Sequence, residues 1–359
     1  MCDFSQYGGP SAEWLAVEKT LPPFTLDLNT DPLAFKNMSN ANREGLSAEL
    51  MIPLAPKVRM ATYDIPTRDA SSIQARTYRS ITHAEDAVLP VFLYFHGGGF
   101  VTGTLDSENA ACAALAIKIP VAVLNVNYRH SPEHTFPTPW LDSQDAFVWL
   151  HANAPRLHID PAKVVVGGVS AGGQLSASLA LEKHLGKAEV LRGLPEIAGQ
   201  VLIIPALAHS DTYAFVLEKL VSPDVSSYTE NEFAPLLGLS AIEFFISHLQ
   251  IPKPVDPADM KLNPGNASLE QVKGLPSAVF CIAGLDPLRD EGLLYAKLLA
   301  EAGVPTDVRV MKGVPHGARR FGEALSASRE WDRCLEEGVV WCLGKPEASG
   351  KFEPRIVCE

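Results

Sequence analysis

The sequence lacks the features that mark membrane, secreted and nucleic-acid-binding proteins. No apolar run approaches the roughly 18 to 20 residues needed to cross a bilayer. The N-terminus lacks a basic segment followed by an apolar one, so secretion is not indicated. Among 359 residues, 30 Lys and Arg stand against 42 Asp and Glu, giving a formal net charge of −12 without any basic run. Binding to nucleic acid or to anionic lipid is therefore not expected.

Cysteine is scarce and metal-binding patterns are missing. The six cysteines form no C-x-x-C pair, so we expect reduced thiols rather than a disulfide framework. Neither H-E-x-x-H nor a compact His/Asp cluster occurs, and neither a metal nor another cofactor is predicted. We expect a cytoplasmic protein whose partner is a small molecule, and the sequence leaves a homodimer open.

The composition is that of a globular protein with a large core, because 47% of the residues are hydrophobic and 20% are charged. Apolar, β-branched runs alternate with helix-length amphipathic segments, which predicts an α/β fold with a mainly parallel sheet flanked by helices. The predicted strands cover residues 88–95, 121–127, 163–167, 199–204, 278–283 and 308–311, with 58–65 and 73–78 as an antiparallel edge. The predicted helices cover residues 12–19, 42–51, 107–118, 140–151, 171–185, 240–250, 290–302 and 318–343.

Two segments interrupt this alternation and are interpreted as a helical cap over one edge of the sheet. The predicted division is an N-terminal cap segment (1–55), a core (56–204 and 276–345), a cap insertion (205–275) and a C-terminal tail (346–359). Both cap segments carry many large apolar side chains, whose exposure to water would be unfavourable. We therefore expect these side chains to pack together over the active site. They are Trp14, Leu15, Leu21, Phe24, Leu26, Leu33, Phe35, Phe233, Leu236, Leu237, Phe244, Phe245 and Leu249.

The strongest chemical motif is G-x-S-x-G at residues 168–172. It lies between a predicted strand and a predicted helix, which is the context of a nucleophile elbow. The flanking glycines allow a tight turn in which the hydroxyl of Ser170 projects from the sheet. Ser170 is therefore the predicted nucleophile, and the N–H of Ala171, the residue after it, is a predicted oxyanion donor.

A second motif, H-G-G-G-F at residues 96–100, follows the first strand of the parallel part of the sheet. Its glycines leave backbone N–H groups free to point at an oxygen that becomes negative during acyl transfer. A phosphate-binding loop is the rival interpretation, but neither of its glycine patterns is present here. His96 is interpreted as a residue that shapes this loop.

A serine nucleophile needs a base, and imidazole is suited to that task. In this architecture the chain order is serine, acid, histidine, which selects His316 after the last predicted strand. Asp286 is the first carboxylate after the preceding strand and is the favoured acid. Asp290 and Glu291 remain alternatives, with Asp290 expected to cap the following helix and Glu291 to lie in its first turn.

Residues 88–320 resemble the hormone-sensitive-lipase family of α/β-hydrolases, a group of bacterial and fungal carboxylesterases with H-G-G-G and G-D-S-A-G-G motifs. Residues 128–134 (Y-R-H-S-P-E-H) and 286–292 (D-P-L-R-D-E-G) are also similar to sequence motifs of this family. The resemblance implies an α/β-hydrolase fold, a Ser170–His316–Asp286 triad, and an oxyanion hole formed by Gly98, Gly99 and Ala171. It also implies hydrolysis of a small or medium-sized ester, and an acetylated secondary metabolite is compatible with this.

The sequence departs from the family pattern at three places. Val169 replaces the usual aspartate before the nucleophile, which predicts the loss of a hydrogen bond that braces nearby loops. Gln174 stands where asparagine is common, and Ala318 where phenylalanine is common. Two other functions compete with hydrolysis: an acyltransferase using the same triad, and a non-catalytic binding protein, which the intact triad disfavours.

Overall fold

A single sheet of nine strands forms the centre of the molecule in the computed structural model, which describes residues 1–22 and 26–358. The strands are β1 (Val58–Pro66), β2 (Ser72–Ser80), β3 (Leu89–Phe95), β4 (Ala122–Asn127), β5 (Ile159–Val169), β6 (Gly199–Ile203), β7 (Ala278–Leu285), β8 (Thr306–Pro315) and β9 (Arg355–Cys358). Their order is β1-β2-β4-β3-β5-β6-β7-β8-β9. Strands β1 and β2 form the antiparallel edge and all later strands are parallel, as predicted.

Helices cover both faces of this sheet. They are α1 (Ala12–Glu18), α2 (Pro32–Met51), α3 (Asn109–Lys118), α4 (Thr138–Ala152), α5 (Ala154–Leu157), α6 (Ala171–His184), α7 (Ala214–Leu217), α8 (Ser227–Glu230), α9 (Leu239–His248), α10 (Leu269–Val272), α11 (Arg289–Glu301) and α12 (Ser326–Leu343). Alternate residues of a strand face opposite sides, so Phe280 of β7 packs in the cluster containing α11, whereas Val279 packs with α12. This two-sided burial explains why the central strands read as continuous apolar runs.

Besides the short helices α5, α7, α8 and α10, which were not predicted, the structure differs from the predicted elements at three places. Helix α2 begins ten residues before the predicted start, because the Asp31 carboxylate accepts the Ala34 N–H at 2.7 Å and proline occupies the first helical position. The prediction of one long final helix is wrong for its first turns. These residues form the 3-10 helix Ala318–Ala324, which ends at an extended Leu325. Strand β9 lies in the segment interpreted as a tail and pairs with β8.

The two cap segments contact each other over part of their predicted apolar set. Leu26 and Phe35 share a cluster with Leu237, Phe244 and Phe245, and the ring centroids of Phe35 and Phe244 are 5.5 Å apart. Other members of the set do not join this cluster: Trp14 packs against Phe321, and Phe233 is 89% exposed. Phe24 lies outside the described residues. None of the helices in residues 1–22 and 26–358 is both long enough and apolar enough to span a membrane.

Candidate active site

Ser170 occupies the turn that joins β5 to α6. Its backbone has φ 55° and ψ −116°, a conformation that side-chain-bearing residues rarely adopt and that projects the hydroxyl from the end of the sheet. The turn is tight on both sides. A Cβ atom at Gly168 or at Gly172 would overlap the carbonyl oxygen of Phe95, so only glycine fits at either position. The strained serine is thus held by close packing of three backbone segments.

Three predicted side chains meet at the carboxyl ends of the parallel strands. His316 directly follows β8, and its Nε2 lies 2.9 Å from Ser170 Oγ. Its Nδ1 lies 2.7 Å from Oδ2 of Asp286, which directly follows β7. Asp286 is almost completely buried, whereas the His316 side chain is 12% exposed. The three groups therefore form one continuous hydrogen-bonded chain that reaches solvent at its serine end.

The orientation of Asp286 is fixed by contacts on both sides of its carboxylate. Oδ1 accepts the N–H of Leu288 at 2.9 Å, leaving Oδ2 for His316. The Asn231 side-chain amide donates to the Asp286 carbonyl oxygen at 3.4 Å. A carboxylate held in this way orients the imidazole, and it favours the form of the ring with the proton on Nδ1, so that Nε2 faces the serine.

The two alternative acids, Asp290 and Glu291, lie in the first turn of α11, and their carboxylates have partners other than His316. Asp290 accepts the N–H of Ser227 at 2.7 Å and pairs with Arg289 at 2.8 Å. The expectation that Asp290 caps α11 is wrong, because Leu288 occupies the N-cap position and the Asp290 carboxylate is used by the cap insertion instead. Glu291 does lie in the first turn, where it accepts the N–H of Leu207 at 2.5 Å. Burial raises the pKa of Glu291 well above its ordinary value.

The glycine loop, residues 96–100, lies beside Ser170 and presents backbone N–H groups that could donate to a ligand oxygen. Gly98 and Gly99 have φ values of 135° and 60°, which turn successive peptide groups away from the strand direction. Within the described residues, the N–H groups of Gly98 and Gly99 make no hydrogen bond that the structure records. Ala171 is the first residue of α6, and the first N–H groups of a helix have no acceptor inside it. All three predicted donors are thus available to a ligand oxygen.

His96 lies behind this loop as a packing residue. It is fully buried, its ring stacks on Tyr128 with centroids 4.5 Å apart, and its Nδ1 lies 3.1 Å from the Gly97 carbonyl oxygen. Burial lowers the pKa of His96 to about 4, so the ring is neutral at neutral pH. These contacts fit the predicted role of shaping the loop.

His130 lies beside His96, with ring centroids 5.1 Å apart, and we expect it to make the protein sensitive to acid. Its Nε2 is buried without a hydrogen-bond partner in the described structure. Burial is the main cause that lowers the pKa of His130 well below its ordinary value, and the positive charges of Lys36 and Arg43 add to this effect. The unfolded chain takes up this proton below about pH 6.5 while the folded state does not, so the free energy of unfolding falls as the pH drops below that value.

The substitution His130→Leu should therefore raise the melting temperature more at pH 5 than at pH 8. The slope of unfolding free energy against pH should become shallower by up to about 1.4 kcal/mol per pH unit, the equivalent of one proton. Thermal unfolding of both proteins at the two pH values measures this difference. His184→Leu, at an exposed position, is the matched control and should leave the slope unchanged. Equal stabilisation by His130→Leu at both pH values would contradict the prediction.

The three departures from the family pattern have separate structural outcomes. Val169 lies against the loop: a Cβ at Gly97 would come within 2.9 Å of the Val169 carbonyl oxygen and 3.2 Å of its Cγ1, so the side chain itself brings only methyl groups to the loop. Gln174 donates from Nε2 to the Leu262 carbonyl at 2.7 Å and ties α6 to the cap insertion. Ala318 is buried at the start of a 3-10 helix.

The sequence analysis did not predict the role of the polar face of α2. Asn40, Arg43 and Glu44 on this face contact the glycine loop and the residues that follow it, up to Thr104.

Comparisons with known proteins identify the family of this chain. A family model described as alpha/beta hydrolase fold matches residues 92–320. Esterase LipI of Mycobacterium tuberculosis is 33% identical over 282 residues, which cover 77% of this chain and 80% of that protein. The versiconal hemiacetal acetate esterase of Dothistroma septosporum is 31% identical over 301 residues, covering 84% and 87%. The crystal structure of vibralactone cyclase superposes with a TM-score of 0.82 at 26% identity, covering 94% and 96%.

Proposed function

Since the chain belongs to the hormone-sensitive-lipase-like branch of the α/β-hydrolases and is a carboxylesterase-type hydrolase, we propose that Ser170, His316 and Asp286 are its catalytic triad. The observation that carries the proposal is the hydrogen-bonded chain from Ser170 Oγ through both nitrogens of His316 to Asp286. The strained turn at Ser170 supports the same assignment, because it presents the hydroxyl to a substrate.

The acylation step follows from these distances. His316 Nε2 takes the proton of Ser170 as Oγ attacks the ester carbonyl carbon. The imidazolium that forms is stabilised by Asp286, whose carboxylate accepts a hydrogen bond from Nδ1–H while the proton stays on the ring. The carbonyl oxygen becomes negative, and the N–H groups of Gly98, Gly99 and Ala171 donate to it. When the carbonyl re-forms, the alkoxide leaves and takes the proton from His316.

Deacylation repeats the sequence with water as the nucleophile. His316 removes a proton from water, the hydroxide attacks the acyl-enzyme carbonyl, and Ser170 leaves with the proton returned by His316. An acyltransferase would use a second alcohol or amine at this step. Hydrolysis is favoured because relatives that cover most of this chain are named esterases.

The test of this function is a product analysis with a candidate acceptor present. The protein is incubated with p-nitrophenyl acetate in the absence and presence of a primary alcohol, and both acetate and acetyl ester are quantified. We expect acetate to account for the released nitrophenol in both mixtures. Acetylation of the alcohol in preference to water would instead identify an acyltransferase.

We further propose that the preferred ester has a short acyl chain, such as an acetate. Phe245 of α9 lies directly against the glycine loop, since a Cβ at Gly99 would overlap its ring. The ring is held by Phe35 and Phe244, with centroids 6.0 and 5.3 Å away. A packed phenyl ring beside the donor site leaves little room for a long chain next to the reacting carbonyl. The acetate ester named in the Dothistroma relative supports the same substrate class.

On p-nitrophenyl esters of increasing length, kcat/KM should peak at about two to four carbons, because each methylene that the pocket cannot accommodate costs about 1 to 3 kcal/mol of transition-state binding. Phe245→Ala should move this peak toward longer chains by opening space beside Gly99. Phe233→Ala is the matched control, because Phe233 belongs to the same insertion but is 89% exposed. An unchanged chain-length profile in folded Phe245→Ala would remove Phe245 from the acyl pocket.

We also propose that the protein acts in the cytoplasm. All six cysteines are free thiols in the structure, and four of them are buried. Free thiols of this kind are typical of reducing compartments, where disulfides do not persist.

A further inference from the structure

The peptide group between Gly97 and Gly98 contributes one of the proposed oxyanion donors through its N–H and is contacted on its opposite side by a cation. Arg43 of α2 donates from Nη1 to the Gly97 carbonyl oxygen at 3.2 Å. The same carbonyl oxygen lies 3.1 Å from His96 Nδ1. Because C=O and N–H belong to one planar amide, a group that fixes the Gly97 carbonyl also fixes the direction of the Gly98 N–H.

Arg43 is itself held in place by a buried carboxylate. Its Nη2 lies 2.5 Å from Glu108 Oε1, and the hydroxyl of Tyr94 donates to Oε2 of Glu108 at 2.8 Å. Burial alone would raise the pKa of Glu108, but the positive charge of Arg43, together with the hydrogen bonds from Tyr94 and Arg43, more than offsets this and lowers it. Glu108 is therefore ionised at neutral pH, and the guanidinium is tied to the core rather than free to follow solvent.

The remaining contacts of this helix face follow the same loop. Asn40 Oδ1 accepts the Gly103 N–H at 2.7 Å, and Glu44 Oε1 accepts the hydroxyl of Thr104 at 2.7 Å. Residues three and four positions apart share one face of a helix, so Asn40, Arg43 and Glu44 form a single row. This row contacts the loop from residue 97 to residue 104 and gives α2 a defined register on it.

We infer that Arg43 is a positioning residue for ester hydrolysis, whose guanidinium orients and polarises the Gly97–Gly98 peptide so that the Gly98 N–H donates to the developing oxyanion. This inference rests on the proposed function. It assigns to the N-terminal cap segment a part in the chemical step, beyond covering the site.

Two physical effects make the contact matter for rate. A hydrogen bond to an amide carbonyl, here from a cation, draws electron density toward oxygen and makes the N–H of that amide a stronger donor. An oxyanion hole also works because its donors are fixed before charge develops. Gly98 has φ 135°, and the side chain of Val169 has no hydrogen-bonding group to offer the loop. Arg43 instead donates a side-chain hydrogen bond to the Gly97 carbonyl oxygen.

The test begins with Arg43→Met, which keeps much of the length of the side chain but removes its charge and donors. We expect kcat for p-nitrophenyl acetate to fall by about 10- to 50-fold with KM within about 2-fold, a smaller loss than the roughly 10²- to 10³-fold of deleting a donor. The affinity for an alkyl trifluoromethyl ketone, which forms a tetrahedral adduct with the serine, should fall by the same factor as kcat/KM. A purely structural contact would not link these two measurements.

Two further variants separate positioning from general loss of stability. Arg43 also donates from Nη1 to Thr102 Oγ1 at 3.3 Å. Arg43→Lys keeps a cation beside Glu108, but one ammonium group cannot contact Glu108, the Gly97 carbonyl and Thr102 together, so it should restore only part of kcat. Lys36→Met is the matched control, because Lys36 lies on the same helix and pairs with Glu133 at 2.8 Å. Its kcat and ketone affinity should match the wild type. Melting temperatures of all three establish that the proteins compared are folded.

The outcomes are distinguishable. Folded Arg43→Met with kcat within 2-fold of wild type, or with a raised KM and unchanged ketone affinity, would overturn the positioning role while leaving the triad intact. An equal loss in Lys36→Met would also overturn it, because the effect would then belong to the seating of α2 as a whole. The proposed function is tested separately, on the wild-type protein treated with a fluorophosphonate. Absence of an adduct on Ser170 would overturn both proposals.

Discussion

Replacement of Ser170 by alanine is expected to lower kcat for ester hydrolysis by about 10⁵- to 10⁶-fold and to leave the fold unchanged. The variant retains the donor site and the substrate contacts but has no atom that can form the acyl-enzyme. A methyl group in place of the hydroxymethyl adds no volume to the tight turn. Kinetics with p-nitrophenyl acetate, together with the melting temperature, measure both parts of the expectation.

Ser176→Ala provides the matched control for this variant. Ser176 lies in α6, the helix that begins directly after Ser170. It is completely buried, and its hydroxyl donates to the Gly172 carbonyl oxygen at 2.8 Å rather than to His316. Its removal should change stability slightly and kcat little. Mass spectrometry of the wild type after fluorophosphonate treatment should locate one adduct, on Ser170. An adduct on any other residue, or substantial activity in Ser170→Ala, would contradict the assignment of the nucleophile.

The positions of the three residues of the proposed triad were predictable because the topology brings them together. Ser170, Asp286 and His316 each follow a different parallel strand, and the carboxyl ends of parallel strands meet at one edge of a sheet. Chain order and strand ends therefore identify residues separated by 30 and 146 positions. The Gly-rich turn could also be read locally, since its sequence and its backbone conformation are properties of the same few residues.

Features that depend on contacts between distant segments were not predictable in this way. The contacts of Arg43 span 54 residues to Gly97 and 65 to Glu108, and no periodic pattern connects these positions. Asp290 was misread as a helix cap because its true partner, the Ser227 N–H, comes from the cap insertion. Strand β9 has four residues, too few for an alternation pattern to distinguish a strand from an extended tail.

The remaining large effect is expected at Asp286, where Asp286→Asn should lower kcat by about 10³- to 10⁴-fold with little change in KM. The asparagine amide has nearly the shape of the carboxylate, so the site should stay assembled. It cannot stabilise the imidazolium, and if its NH₂ group faces His316 it favours the ring form with the proton on Nε2, which cannot accept the proton of Ser170. Burial of Asp286, which is 1% exposed, prevents water from replacing the lost carboxylate oxygen.

Asp290→Asn is the comparison that tests this assignment, because it places the same change four residues away on a carboxylate that does not contact His316. Its cost should appear in stability, about 1 to 3 kcal/mol from weakening the buried contacts with Arg289 and Ser227, and kcat per folded molecule should change little. Combining Ser170→Ala with Asp286→Asn should lower kcat no further than Ser170→Ala alone, since residues of one triad act as a unit. A larger loss of kcat in Asp290→Asn than in Asp286→Asn, at equal folded fraction, would contradict the assignment. The carboxylate that orients His316 during turnover would then be Asp290, and the 2.7 Å contact of Asp286 with the imidazole would not be the one used in catalysis.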